Sequence, residues 1–219
     1  MKPLRIVFAS FAALIAVGFS ATLGVADASP NWHVYNLAPS GRALTSPEAT
    51  GQGADLATFD FLSTPTTSYL MTHQGPSGLL GDIRGRTVSA TFSIDDSAGA
   101  SLFGNPDGDA CGTLATVRLF FQTSNAGGFD ETHFWWSHPG STSFAAGSGQ
   151  VITSSVDGAD WSDFFGHFGN DPAFASGFDA AAANATYIGL SFGSGCFFAN
   201  GVGVQNGTAT FHLVDFSVT

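Results

Sequence analysis

Residues 86–94 read RTVSATFSI, with Val88, Ala90, Phe92 and Ile94 alternating against Thr87, Ser89, Thr91 and Ser93. Successive side chains of a strand point to opposite sides, so this period of two predicts a strand with one buried face. Residues 115–122 repeat the pattern, with Val117, Leu119 and Phe121 set against Thr116, Arg118 and Phe120. Further strands are predicted over 32–36, 57–62, 68–73, 132–138, 150–154, 186–192 and 208–218. Stretches rich in Gly, Ser, Asn, Asp and Pro separate them, as turns require. In 208–218 the apolar parity changes partway. Ala209, Phe211 and Leu213 share one phase, and Val214, Phe216 and Val218 the other. A β-bulge, or a strand passing between two sheets, produces such a switch.

One segment has a helical period. Phe174 and Phe178 are four residues apart, and Ala181 and Ala182 extend the same face. Asp171 is placed to cap this helix, with Pro172 at its first position, Gly177 as a weak point and Asn184 at its end. Many short strands and one short helix near residues 171–184 predict an all-β chain, a jelly-roll-type β-sandwich.

The first residues do not fit that pattern. Lys2 and Arg5 precede an uncharged apolar run over 6–25, then Ala26-Asp27-Ala28 and Ser29-Pro30. This is the layout of a cleavable signal peptide over residues 1–28. An uncleaved anchor is the alternative, since the run is just long enough to span a bilayer. The expected product is a single secreted β-sandwich domain over 29–219, with no membrane span left after cleavage.

Charge narrows the partners. The chain carries a formal net charge of −11, and beyond residue 28 its only fixed cations are Arg42, Arg84, Arg86 and Arg118. Nucleic acids and anionic membranes call for basic patches, so neither is expected as a partner. Cys111 and Cys196 are the only cysteines. In an oxidising compartment such a pair reads as a disulfide, and two free buried thiols are the alternative.

Tyr69-Leu70-Met71, then Gly78-Leu79-Leu80-Gly81-Asp82 and the alternating strand from Thr87, resemble the opening of laminin-B (laminin IV type A) domains. Trp161-Ser162, Gly166, Phe174, Phe178 and the Ala-rich helix leading to Thr186-Tyr187-Ile188-Gly189-Leu190 resemble a later portion of the same domains. The resemblance covers about residues 56–218. It departs at the closing strand, where Leu213-Val214-Asp215-Phe216 stands in place of the family's LDNV. The chain is also similar to small secreted bacterial β-sandwich proteins of unassigned activity. The resemblance implies a jelly-roll sandwich with an extracellular adhesive or matrix role, and no catalytic residues.

Candidate chemistry is sparse. Gly189-Leu190-Ser191-Phe192-Gly193 matches G-x-S-x-G, but a nucleophile elbow needs a strand, a sharp turn and a helix, and this Ser lies inside a predicted strand. Beyond residue 28 the only glutamates are Glu48 and Glu131, and adjacent Asp130 and Glu131 would diverge in a strand, so no glycosidase pair is evident. His133 and His138 flank Phe134-Trp135-Trp136-Ser137, and their odd spacing disfavours one shared metal. Trp135 and Trp136 should face opposite ways, one into the core and the other, beside His133 or His138, either stacking on a sugar ring or simply covering the sheet. His133, His138 and Trp161 complete the set of ligand-binding candidates. Asn105, Asp107 and Asp109 alternate oxygen donors in a tight loop, a candidate structural Ca²⁺ site with Asp95 or Asp96 assisting. The same spacing also suits a turn whose Asn and Asp bond their own backbone. No other cofactor is expected. Asn184-Ala185-Thr186 and Asn206-Gly207-Thr208 are formal glycosylation sequons.

The leading functional expectation is a secreted, non-catalytic sandwich that binds a glycan or an extracellular surface component. A structural or self-associating protein without a small ligand comes second, and a glycan-active enzyme third.

Overall fold

The computed structural model describes residues 31–37, 43–49, 54–75, 78–105, 113–124, 130–138, 142–143, 147–194 and 198–219. The proposed leader over 1–28, Cys111, Cys196, Asp107 and Asp109 lie outside these residues. Among them, no helix is long and apolar enough to cross a membrane.

The chain is an all-β sandwich of two antiparallel sheets. The smaller has the order β10 (Gly147–Ser155), β5 (Thr87–Asp96), β14 (Ala209–Val218), β3 (Ala57–Asp60). The larger runs β11 (Trp161–Ser162), β8 (Phe134–Ser137), β7 (Thr116–Gln122), β12 (Tyr187–Gly193), β4 (Thr67–Thr72), β1 (Trp32–Leu37), β2 (Ala43–Ala49). β13 (Val202–Gln205) bridges β4 to β6 (Ser101–Gly104), and β9 (Thr142–Ser143) pairs with β7.

The alternation predicted for β5 holds. Val88, Ala90, Phe92 and Ile94 are buried, and the intervening Thr and Ser side chains are half-buried on the other face. In the core, Phe211 stacks between Phe59 and Phe92 with centroids 5.3 Å from each, and meets Phe192 of the opposite sheet at 5.4 Å. Trp32 crosses to Phe216 at 5.2 Å. The parity switch in β14 is a bulge. Leu213 pairs with Phe92 and Asp215 with Thr91, which leaves Val214 as the extra residue, 41% exposed.

Two elements differ from expectation. The helix α1 spans Ala175–Ala183 and begins four residues beyond Asp171. The Asp171 side chain accepts from Ala173 N at 3.0 Å and so caps a preceding turn, while Phe174, at ψ −12, holds the cap position without a side-chain bond. Gly177 stays in the helix because a Cβ there would lie 2.6 Å from Thr132 Cβ, so the helix packs too closely for a larger residue. Phe178, Ala181 and Ala182 form the buried face as predicted, and Phe178 meets Trp135 edge-on at 5.0 Å. The strand predicted over 132–138 opens instead as a 3₁₀ turn, Glu131–His133, because Asp130 accepts from Thr132 N at 2.9 Å and caps it. β7 is buried on both faces from Thr116 to Phe121, where one buried face was expected.

Candidate functional site

The second buried face of β7 belongs to the outer side of the large sheet, which is where the chain's unused chemistry gathers. Directly opposed residues of an antiparallel pair share a face. One transverse row therefore reads Arg118, Ser191, Tyr69, Tyr35 across β7, β12, β4 and β1. The next reads Ser162, Trp136, Phe120, Gly189, Met71, His33. A third carries Phe134, Gln122 and Tyr187. All three tyrosines of the chain stand on this one face.

The face has two parts. Toward β1 and β4 it is open. His33 lies 5.9 Å from His73 and 6.5 Å from Tyr35, and His73 lies 5.4 Å from Tyr187. His73 is exposed, and the other three rings are half-buried. Burial, and then neighbouring Tyr187, push the Tyr35 phenol up. Burial alone pushes Tyr69 far above the ordinary tyrosine range. Tyr69 packs on Phe120 at 4.9 Å, and the two rings lie diagonally across Gly189, which has no side chain to separate them.

Toward β7 and β8 the face is closed. Trp136 is 2% exposed and packs on Phe120 at 5.1 Å and Phe198 at 6.2 Å. The Arg118 guanidinium lies over the Phe198 ring, 3.9 Å from its centroid, and Nη1 donates to Ser137 O at 2.8 Å. Burial lowers the Arg118 pKa to about 10, which leaves it charged at neutral pH. His138 stacks on Phe168 at 5.0 Å, and burial, then Arg118, lower its pKa and favour the neutral ring.

A second site lies on the outer face of the small sheet. An open depression of about 400 Å³ is lined by Thr58, Phe59, Asp60, Asp95, Thr210 and His212. His212 Nδ1 faces Asp55 at 2.8 Å, and Nε2 faces Asp95 at 3.5 Å. Both ring nitrogens thus point at carboxylates, and Thr210 donates to Asp60 at 2.6 Å. That arrangement leaves no ring nitrogen turned toward a hydroxyl nucleophile, so it does not build a Ser- or Thr-type hydrolytic site.

The residues singled out from sequence are dispersed by the fold. Trp135 and Trp136 do face opposite sides. Trp135 and Trp161 are fully buried core residues, and their indole N–H groups donate to Thr132 O and Ser155 O, each at 2.7 Å. Neither exposes a ring face, and Trp136 on the other side of the sheet is only 2% exposed. Trp136 and His138 belong to the outer face, whereas half-buried His133 sits in the 3₁₀ turn. Of the Ca²⁺ candidates, Asn105 is engaged with Asn200: its Nδ2 donates to Asn200 O at 3.1 Å and its carbonyl accepts from Asn200 Nδ2 at 2.8 Å. Asp95 and Asp96 are exposed at the end of β5, and Asp95 turns to His212. Among the described residues, no three acidic, His or Cys side chains cluster as a metal site. Ser191 is fully buried within β12, with no strand-to-helix elbow around it. The Tyr35, His33, His73 and Tyr187 strip escaped the sequence reading. Its signal was present: on β1 and β4 the parity opposite the core carries His33, Tyr35, Tyr69 and Met71, where an ordinary solvent face carries Thr, Ser or charge.

Comparison with known proteins adds no relative: no protein-family model, curated protein or solved structure matches the chain.

Proposed function

We propose that the chain is an exported, non-catalytic β-sandwich that binds carbohydrate across the outer face of its large sheet. The carrying observation is the strip of half-exposed His33, Tyr35, His73 and Tyr187 rings on a rigid sheet. Flat rings with polar tips present an apolar surface to the CH face of a sugar and a donor or acceptor to its hydroxyls. The laminin-B resemblance and the leader-like first 28 residues support an extracellular setting. A glycan array probed with the purified chain tests the reading. Tyr187→Ala and His73→Ala should each weaken retention by about two- to tenfold, the equivalent of about 0.5–1.5 kcal/mol per aromatic contact. If the wild-type chain retains no glycan, or both variants retain it unchanged, the reading fails.

One observation favours protein contact or self-association as a second reading. Asp163, fully buried, accepts from Phe165 N and His167 N at 2.9 Å each, and so fixes a tight turn. That turn presents Phe164 and Phe165, 54% and 63% exposed, as an apolar pair at 5.2 Å. Exposed aromatic pairs on rigid turns are typical contact points. Concentration-dependent sedimentation that Phe165→Ser abolishes would favour this reading.

A further inference from the structure

A strand at the rim of a sheet carries a row of backbone groups that nothing inside the sheet can satisfy. Folded chains blunt such rims with charge, proline, shortness or a bulge. Of the four strands that end the paths of the two sheets, three follow that rule. β2 contains Pro47 and Glu48, β3 is four residues long and ends on Asp60, and β11 is two residues long. β10 departs from it. It borders the small sheet beside β5, runs for nine residues, GSGQVITSS, and holds neither charge nor proline.

The ladder fixes which backbone groups of β10 are left over. Val156 N donates to Arg86 O at 2.7 Å, whereas Thr87 turns the other way and exchanges bonds with Thr219 at 2.8 and 2.9 Å. Alternation along an antiparallel pair then directs Ser154 and Ile152 toward β5, and Ser155, Thr153 and Val151 away from it. Ser155 O accepts from the Trp161 indole N–H at 2.7 Å, and a bulge between Gly147 and Gln150 interrupts the other end. Between these two stops, the N–H and C=O of Val151 and of Thr153 take part in no hydrogen bond among the described residues. Val151 is 57% exposed and Thr153 is exposed, so the rim is open there.

We infer that this rim is a self-pairing site, to which β10 of a second copy of the chain adds antiparallel. Two features select a second copy. The open stretch is its own complement: a two-fold axis through Ile152 sets Val151 opposite Thr153 of the other copy, and the reverse. Four N–H···O=C bonds then use every left-over group on both rims, and two β-branched side chains meet at each pair. The stops lie three residues to either side of Ile152, at Gly149 and Ser155, so each bulge meets the closed end of the other copy. Charge is the second feature. The chain has 17 acidic residues against 6 basic ones, so most faces of two copies repel. Across this rim no charge opposes another. β10 is neutral, the β5 residues beside Val151 and Thr153 are Thr91 and Ser89, and Asp157 and Asp160 lie beyond Ser155, toward the neutral bulge of the other copy.

Pairing joins two four-stranded sheets into one of eight strands. Both rims of the joined sheet are the blunted β3, so the assembly closes at two copies. The open stretch 150–154 spans only about 17 Å. That is short of a permanent interface, so the dimer should be weak and concentration-dependent. This surface is separate from the Phe164–Phe165 turn and owes nothing to carbohydrate binding.

Amide hydrogen exchange, read residue by residue on the purified chain at low micromolar and near-millimolar concentration, is the direct test. Diluted, Val151 and Thr153 should exchange fast beside protected Ile152 and Ser154. Concentrated, both should slow, by about tenfold once about nine-tenths of the chain is paired. Sedimentation over the same range should show an equilibrium that ends at two copies. Val151→Pro removes an outward N–H from each copy and sets a ring against the other rim. Proline is tolerated at such rim positions, so the fold should persist and the dimer should be lost. Phe165→Ser should leave the dimer intact. A chain that stays monomeric throughout, or that dimerises while Val151 and Thr153 still exchange fast, overturns the pairing. A dimer that survives Val151→Pro overturns it as well, and one that disappears in Phe165→Ser does so in favour of the turn. Should Val151→Pro not fold, exchange on the wild-type chain decides alone.

Discussion

Deleting a residue from a paired strand ordinarily turns half of its side chains to the wrong side. Val214 should be an exception. Around it, the ladder from β14 to β5 passes from Leu213↔Phe92 directly to Asp215↔Thr91 and Phe216↔Ala90. Without Val214, residues 209, 211, 213, 216 and 218 would point inward in strict alternation, and every one of these pairs would survive. The side chain is 41% exposed, so its removal forfeits about 1 kcal/mol of apolar burial. One residue fewer to order returns about 1–2 kcal/mol of conformational entropy. The two offset, and the variant should unfold within about 1 kcal/mol of wild type, or about 2–4 °C in melting temperature. Deletion of Thr91 in β5 is the matched comparison. With the register kept before it, Phe92 and Ile94, 0% and 1% exposed, would turn to solvent at about 1.5–3 kcal/mol each. The sum of about 3–6 kcal/mol rivals the whole stability of many domains. Urea unfolding followed by circular dichroism measures both. A Val214 deletion that unfolds as early as the Thr91 deletion would refute the bulge as an accommodated extra residue.

Two other expectations follow from the outer face. Gly189→Ala places a Cβ 2.1 Å from Leu70 O and 2.8 Å from Met71 Cα, both backbone atoms, so it should destabilise by about 1–3 kcal/mol or more, measured by the same urea titration. Tyr35 and Tyr69 have folded-state pKa values above the ordinary 10.0, so keeping their protons stabilises the fold below that value and the contribution is lost as pH rises above it. Ultraviolet titration should show Tyr69 ionising together with alkaline unfolding, and a normal reversible titration of Tyr69 in the folded state would contradict this reading.

The parts of the fold that could be read from sequence are those with one wet face. β5 and β14 announce themselves because Thr87, Ser89, Thr91 and Ser93 alternate with apolar partners, and even the bulge is visible as a change of phase at Val214. The helix face is visible for the same reason, but its start is not: Asp171 has the chemistry of a cap and spends it on the turn before. The outer site was harder to see because its residues come from β1, β4, β7, β8 and β12, and only strand order makes them neighbours. Trp135 and Trp161 drew attention as large aromatics, yet buried indoles bonded to backbone carbonyls are scaffold. His33, Tyr35 and His73 are unremarkable singly, and their meaning lies in the register that aligns them.

The double burial of β7 also bears on how this chain can change over time. On β5, substitutions at Ser89 or Thr91 meet solvent and a few half-buried neighbours, so many side chains should be tolerated there. On β7, Val117, Leu119 and Phe121 are held by the core, while Arg118 and Phe120 are held by the cluster on the other side. Neither phase of that strand is free to drift. A library covering every position should find β7 the least permissive strand on both parities, with wider tolerance at the rim of the face, above all at exposed His73.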